Sequence, residues 1–96
     1  MVERTLLVKA RLGLHARAAA KVVRVAREFN SKMELRRIDN SVSADAKSIL
    51  SVLMLAASQG TELHATAEGS DEEAALGAID KLFADGFGEL EQEPPK

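Results

Sequence analysis

The chain has 96 residues, 46% of them hydrophobic and 29% charged, with a formal net charge of −2. This is the size of one small domain with a modest core, and the slight acid excess gives no electrostatic case for nucleic-acid binding. Cysteine, tryptophan and tyrosine are absent and phenylalanine occurs three times, which argues against disulfides, thiol catalysis, cysteine-ligated zinc and stacking platforms for single strands.

Met1-Val2-Glu3-Arg4 is charged and the apolar piece after it is very short, so the start of the chain does not resemble a signal peptide. The longest purely apolar run, Val52-Leu53-Met54-Leu55-Ala56-Ala57, is far too short to span a bilayer. A cytoplasmic protein without membrane insertion is the expectation.

In residues 5–10, Leu6, Val8 and Ala10 share one parity, which predicts a strand. A loop over 11–14 follows, with Gly13 its flexible point. Residues 16–29 predict the clearest helix: Ala19, Val22, Val23, Ala26 and Phe29 form one apolar stripe, with Arg17, Lys21, Arg24 and Arg27 opposite. Met33 and Leu35 alternate with charged residues, Asp39-Asn40 reads as a turn, and Val42 and Ala44 suggest a third strand paired to the second. A short helix is expected within 45–58 from Ala46, Ile49, Leu50, Leu53 and Met54, with Gly60 as terminator. Residues 61–68 alternate cleanly, Leu63, Ala65 and Ala67 facing one way. Ser70-Asp71-Glu72-Glu73 has the form of a capping box, opening a helix that carries Leu76, Ile79, Leu82 and Phe83 to the core and stops at Gly86. The domain is expected over residues 1–90, with an unstructured tail over 91–96. Strands that alternate need cover on one face only, so the order predicts a two-layer α/β sandwich with a largely antiparallel sheet.

Gly13-Leu14-His15-Ala16-Arg17 carries the chemistry. A helix start offers free N–H groups and a positive dipole end, which suit phosphate, and a neutral imidazole is a nucleophile. Together they point to transient phosphorylation of His15, with Arg17 and backbone N–H groups holding the phosphoryl oxygens. Arg17 stands at the dipole end that disfavours a cation, which an anionic partner explains. His64 falls on the polar parity of its strand and reads as a surface residue; no metal site and no cofactor are expected.

Three blocks give the chain a wider resemblance: Gly13-Leu14-His15-Ala16-Arg17, then Lys47-Ser48-Ile49-Leu50, then Gly60-Thr61-Glu62-Leu63 with Asp71-Glu72-Glu73-Ala74-Ala75-Leu76. Over residues 4–89 the chain resembles the HPr family, the histidine-containing phosphocarriers of the bacterial phosphoenolpyruvate-dependent sugar phosphotransferase system. The resemblance implies an α+β, open-faced β-sandwich with an antiparallel sheet of order 1-4-2-3 and helices on one face. It implies a monomeric carrier rather than an enzyme. His15 would be phosphorylated on Nδ1 by phosphorylated enzyme I and would pass the group to an enzyme IIA, with the backbone of Ala16, Arg17 and Ala18 around the phosphoryl group. Ala20, Lys21, Arg24, Arg27, Ile49, Leu50 and Leu53 would meet partners, and Ser48 would be a regulatory site for a serine kinase and phosphorylase. One position departs from the family: Ala18 stands where proline usually follows the arginine. The departure keeps a second reading open, a regulatory binding module of the nitrogen branch, or an adaptor for transcription factors or enzymes, with little phosphoryl relay.

Overall fold

The computed structural model describes residues 1–89; the tail expected over 91–96 lies outside them. The described elements are β1 (Val2–Leu7), α1 (Ala16–Ala26), β2 (Lys32–Arg37), β3 (Ser43–Asp45), α2 (Ile49–Met54), β4 (Glu62–Glu68) and α3 (Glu72–Ala84), followed by a 3-10 turn at Gly86–Gly88. The sheet has the order β1-β4-β2-β3, every neighbouring pair antiparallel.

Side-chain parity explains the two layers. Leu6 lies opposite Leu63, and Met33 opposite Ala67; with Leu35 and Ala65 they are buried on one face of the sheet. α1 covers that face with Ala18, Ala19, Val22, Val23 and Ala26, and α3 with Ala75, Leu76, Ile79 and Phe83. Each large aliphatic side chain removed from water here stabilises the fold by about 1.5–3 kcal/mol. The opposite face carries Glu3, Thr5, Lys32, Glu34, His64 and Thr66 and stays open, as the alternation requires.

Several expected boundaries move. The first strand lies at Val2–Leu7 rather than 5–10, although Leu6, Val8 and Ala10 are all buried and Val8 still donates to the Thr61 carbonyl (3.0 Å). α1 ends at Ala26; the N–H groups of Glu28 and Phe29 turn back on Val25 and Ala26, and Phe29 packs half-buried against the core.

The helix expected within 45–58 is only Ile49–Met54, under two turns. Asp45 accepts from the Lys47 N–H (2.9 Å), a local turn that competes with helix at the start. Ser48 caps the helix, its Oγ accepting from the Ser51 N–H (3.4 Å). Ala56, at φ 50°, terminates it rather than Gly60. Arg37 closes the exposed end: Nη1 donates to the carbonyls of Leu55 and Ala56 (3.0 and 3.1 Å), while Nε and Nη2 hold Asp39. Val52 and Leu55 are buried, whereas Ile49, Leu50 and Met54 face solvent.

The capping box at 70–73 does not form as a reciprocal pair. Asp71 occupies the cap position of α3 without a side-chain bond to its own helix. Its carboxylate accepts from the N–H groups of Asn30 and Ser31 (2.8 and 2.9 Å) and from the buried Ser31 hydroxyl (2.5 Å). Glu72 reaches back instead, accepting from the Gly69 N–H (3.1 Å). Asp71 thereby ties the start of α3 to the link between α1 and β2.

Candidate functional site

The segment that presents His15 is fixed from both sides. Gly13 donates to the Ala10 carbonyl (2.9 Å) and Leu14 to the Ala57 carbonyl (2.8 Å). Gly13 has φ +70°, and a Cβ there would lie 2.7 Å from the Ala57 oxygen, so both conformation and space require glycine. Leu14 is buried and pins the loop to the core.

His15 then takes the N-cap position of α1 with an extended backbone. Its carbonyl accepts from the Ala19 N–H (2.8 Å), and its Nδ1 accepts from the Arg17 N–H (3.3 Å). The side chain is 26% exposed. Nδ1 therefore faces the positive end of α1, whose first turn carries no acidic residue. Arg17 is exposed beside it, and among the described residues its guanidinium makes no ion pair. Ala16 is exposed, and Ala18 is completely buried within the first turn. The helix starts at Ala16 without the family proline, as expected of a strong helix former.

The other edge of the ring meets a residue that sequence reasoning did not find. Glu89 places Oε2 2.5 Å from His15 Nε2. The nearest signal in the chain was Gly86, which read as a helix stop and gave no hint of the direction taken afterwards.

The basic residues of α1 differ in what they do. Lys21 is half-buried and donates to the Phe87 carbonyl (2.6 Å). Arg27 donates to the Lys47 carbonyl (3.0 Å), tying α1 to the approach to α2. Arg24 is exposed. Ala20, Val23, Arg24, Arg27 and Ile49 line a groove of about 380 Å³ between the two helices. Ile49 and Leu50 are 44% and 67% exposed, and Leu53 packs against the core. Ser48 is half-buried at the head of the same short helix. His64 lies apart, on the open sheet face between Glu3 (Nε2 to Oε1, 2.6 Å) and Arg36 (Nδ1 to Nη2, 3.3 Å). Among the described residues no cluster of ligating side chains could hold a metal ion.

Residues 2–85 match the PTS-HPr family model, described as the PTS HPr component phosphorylation site. The chain belongs to the HPr family. The phosphocarrier protein HPr of Treponema pallidum is 46% identical over 89 residues, covering 93% of this chain and 99% of that protein. The phosphocarrier protein NPr of Proteus mirabilis is 41% identical over 86 residues, covering 90% and 94%. The crystal structure of HPr-C-His from Thermoanaerobacter tengcongensis superposes with a TM-score of 0.86 at 39% identity, covering 92% of this chain and 97% of that one. The HPr sheet order is the one described above, and the matched family residues end four positions before Glu89.

Proposed function

We propose that this HPr-family phosphocarrier of the phosphotransferase system takes its phosphoryl group on Nδ1 of His15 from phosphorylated enzyme I and gives it to an enzyme IIA. The observation that carries the reading is the aim of Nδ1 at the N–H-bearing start of α1, beside an exposed arginine. A phosphoryl group on Nδ1 lies where the N–H groups of Ala16, Arg17 and Ala18 and the helix dipole favour negative charge. Arg17 adds charge-assisted hydrogen bonds as charge develops in the transition state. The P–N bond to imidazole is labile, which suits a group that must be given away.

Partners meet the groove and the apolar face above it: Ala20, Arg24 and Arg27 on α1, and Ile49, Leu50 and Leu53 on α2. Lys21 is committed to the Phe87 carbonyl and supports this surface from within. The exposed leucine and isoleucine supply apolar area, and the arginines steer an acidic partner. Phosphorylation of Ser48 by a serine kinase would add about −2 charge next to Ile49 and Leu50 and oppose docking there. No helix of the described residues is long and apolar enough to cross a membrane. We read the protein as a cytoplasmic monomer whose covalent intermediate makes it a carrier rather than an enzyme. His15 and Arg17 standing together at the helix mouth favour relay over a purely regulatory binding module.

The test is labelling by enzyme I and labelled phosphoenolpyruvate. Wild type is expected to take up acid-labile label and His15→Ala none. An unlabelled wild type, with another HPr labelled in the same tube, would sink the carrier reading.

A further inference from the structure

We propose that Glu89 is a positioning residue for phosphoryl transfer: its carboxylate keeps the His15 ring proton on Nε2 and leaves Nδ1 free as the nucleophile. This rests on the reading of His15 as the phosphoryl carrier. The two side chains meet at 2.5 Å, and His15 and Glu89 are only 26% and 17% exposed, so most of the pair is shielded from water. An ionised carboxylate only accepts, so Nε2 must carry the proton. On the opposite edge of the ring, Nδ1 faces the Arg17 N–H, a donor that demands a lone pair there. Both neighbours thus select the same tautomer.

The chain is built to bring Glu89 back to this point. Gly86, Phe87 and Gly88 all have left-handed backbone angles (φ 59°, 57° and 76°), and together they reverse the chain after α3. Phenylalanine is disfavoured in that conformation. It is held by burial of its ring, by an edge-on contact with Phe83 at 4.9 Å between centroids, and by Lys21 on its carbonyl. The Glu89 N–H closes the turn on the Gly86 carbonyl (3.0 Å). A disfavoured backbone maintained by several independent contacts is the pattern of a segment that places something. Here the side chain at its end is Glu89.

In the transfer step the Nδ1 lone pair forms the new P–N bond. The bond from phosphorus to the donor breaks, and its electron pair leaves with the donor. The ring becomes positively charged with its proton still on Nε2, against the Glu89 carboxylate. The carboxylate thus orients the ring before the step and stabilises the charge that forms during it.

Full-length wild type, Glu89→Ala and Glu89→Gln decide the matter. Two quantities are measured: the nitrogen-15 spectrum of the His15 ring, followed toward alkaline pH until it no longer changes, and kcat and KM for uptake from phosphorylated enzyme I. Wild type is expected in the Nε2–H form. Glu89→Ala should mix the tautomers and lower kcat about tenfold or more, the usual effect of removing a partner that orients an imidazole, with KM within about twofold. Glu89→Gln keeps a carbonyl acceptor without the charge; it should retain the tautomer and recover part of kcat. A wild-type ring protonated on Nδ1, or a Glu89→Ala protein with wild-type spectrum and kcat, would overturn the proposal. So would a change in KM alone, which would make Glu89 a docking contact. The spectrum needs no phosphoryl donor, so a wrong tautomer refutes the role of Glu89, whereas an unlabelled wild type refutes the carrier reading.

Discussion

Asp71 shows how one side chain can serve a contact that its sequence motif does not suggest. Its carboxylate accepts three hydrogen bonds from Asn30 and Ser31. The Ser31 hydroxyl, and after it the Asn30 N–H, hold its carboxyl below the usual range. A carboxyl lowered in the folded state contributes stability that is fully present above its unfolded value, about 3.9, and is lost as pH falls through its folded value. Asp71→Asn is therefore expected to lower the denaturant midpoint at neutral pH and to lose less stability than wild type on acidification below about pH 4. A variant whose acid dependence parallels wild type would remove Asp71 from the account. The local motif was legible at 70–73, but its partners are some forty residues earlier in the chain, and spacing carries no information at that range. The same limit separates His15 from Glu89. His15 and Arg17 could be read because a helix start is a local event; Glu89 lies 74 residues away, beyond a turn that periodicity does not describe.

At the scale of elements, α2 is the informative case. Its apolar spacing is helical, yet the helix is short because Asp45 and Ala56 each impose turn geometry at its ends. A helix under two turns is not stable by propensity. It persists through burial of Val52, the Ser48 cap, and the Arg37 guanidinium on the last carbonyls. Arg37→Ala should speed amide exchange across residues 49–56 by about tenfold, a local opening cheaper by one hydrogen bond or two, with little change in β4. Equal acceleration in β4 would mean that Arg37 holds the whole fold rather than this helix. The alternating strands were legible because one sheet face is open. The start of β1 was not, because Arg4 interrupts its buried parity and turns instead to Asp80 of α3 (2.7 Å).

At the scale of the molecule, the site is assembled from three distant stretches: the Gly13–Arg17 loop, the Ala57 carbonyl that receives it, and the Phe87 turn that returns Glu89. Stability and site geometry are therefore coupled through Phe87. Truncation of a buried aromatic costs about 3–5 kcal/mol, and Phe87→Ala is expected to lose stability in that range, measured by denaturant unfolding. Phosphoryl uptake at a temperature where the variant remains folded should also fall to the Glu89→Ala level. Loss of stability with unchanged uptake would show that the turn is maintained without its aromatic anchor.

The open sheet face has a practical consequence. It lies on the far side of the sheet from α1 and α2, and the chain contains no cysteine. A single cysteine in place of exposed Thr5 would thus give one unambiguous attachment point for a dye or a surface tether. The protein could then be watched or immobilised during turnover, with its reactive end left pointing into solution.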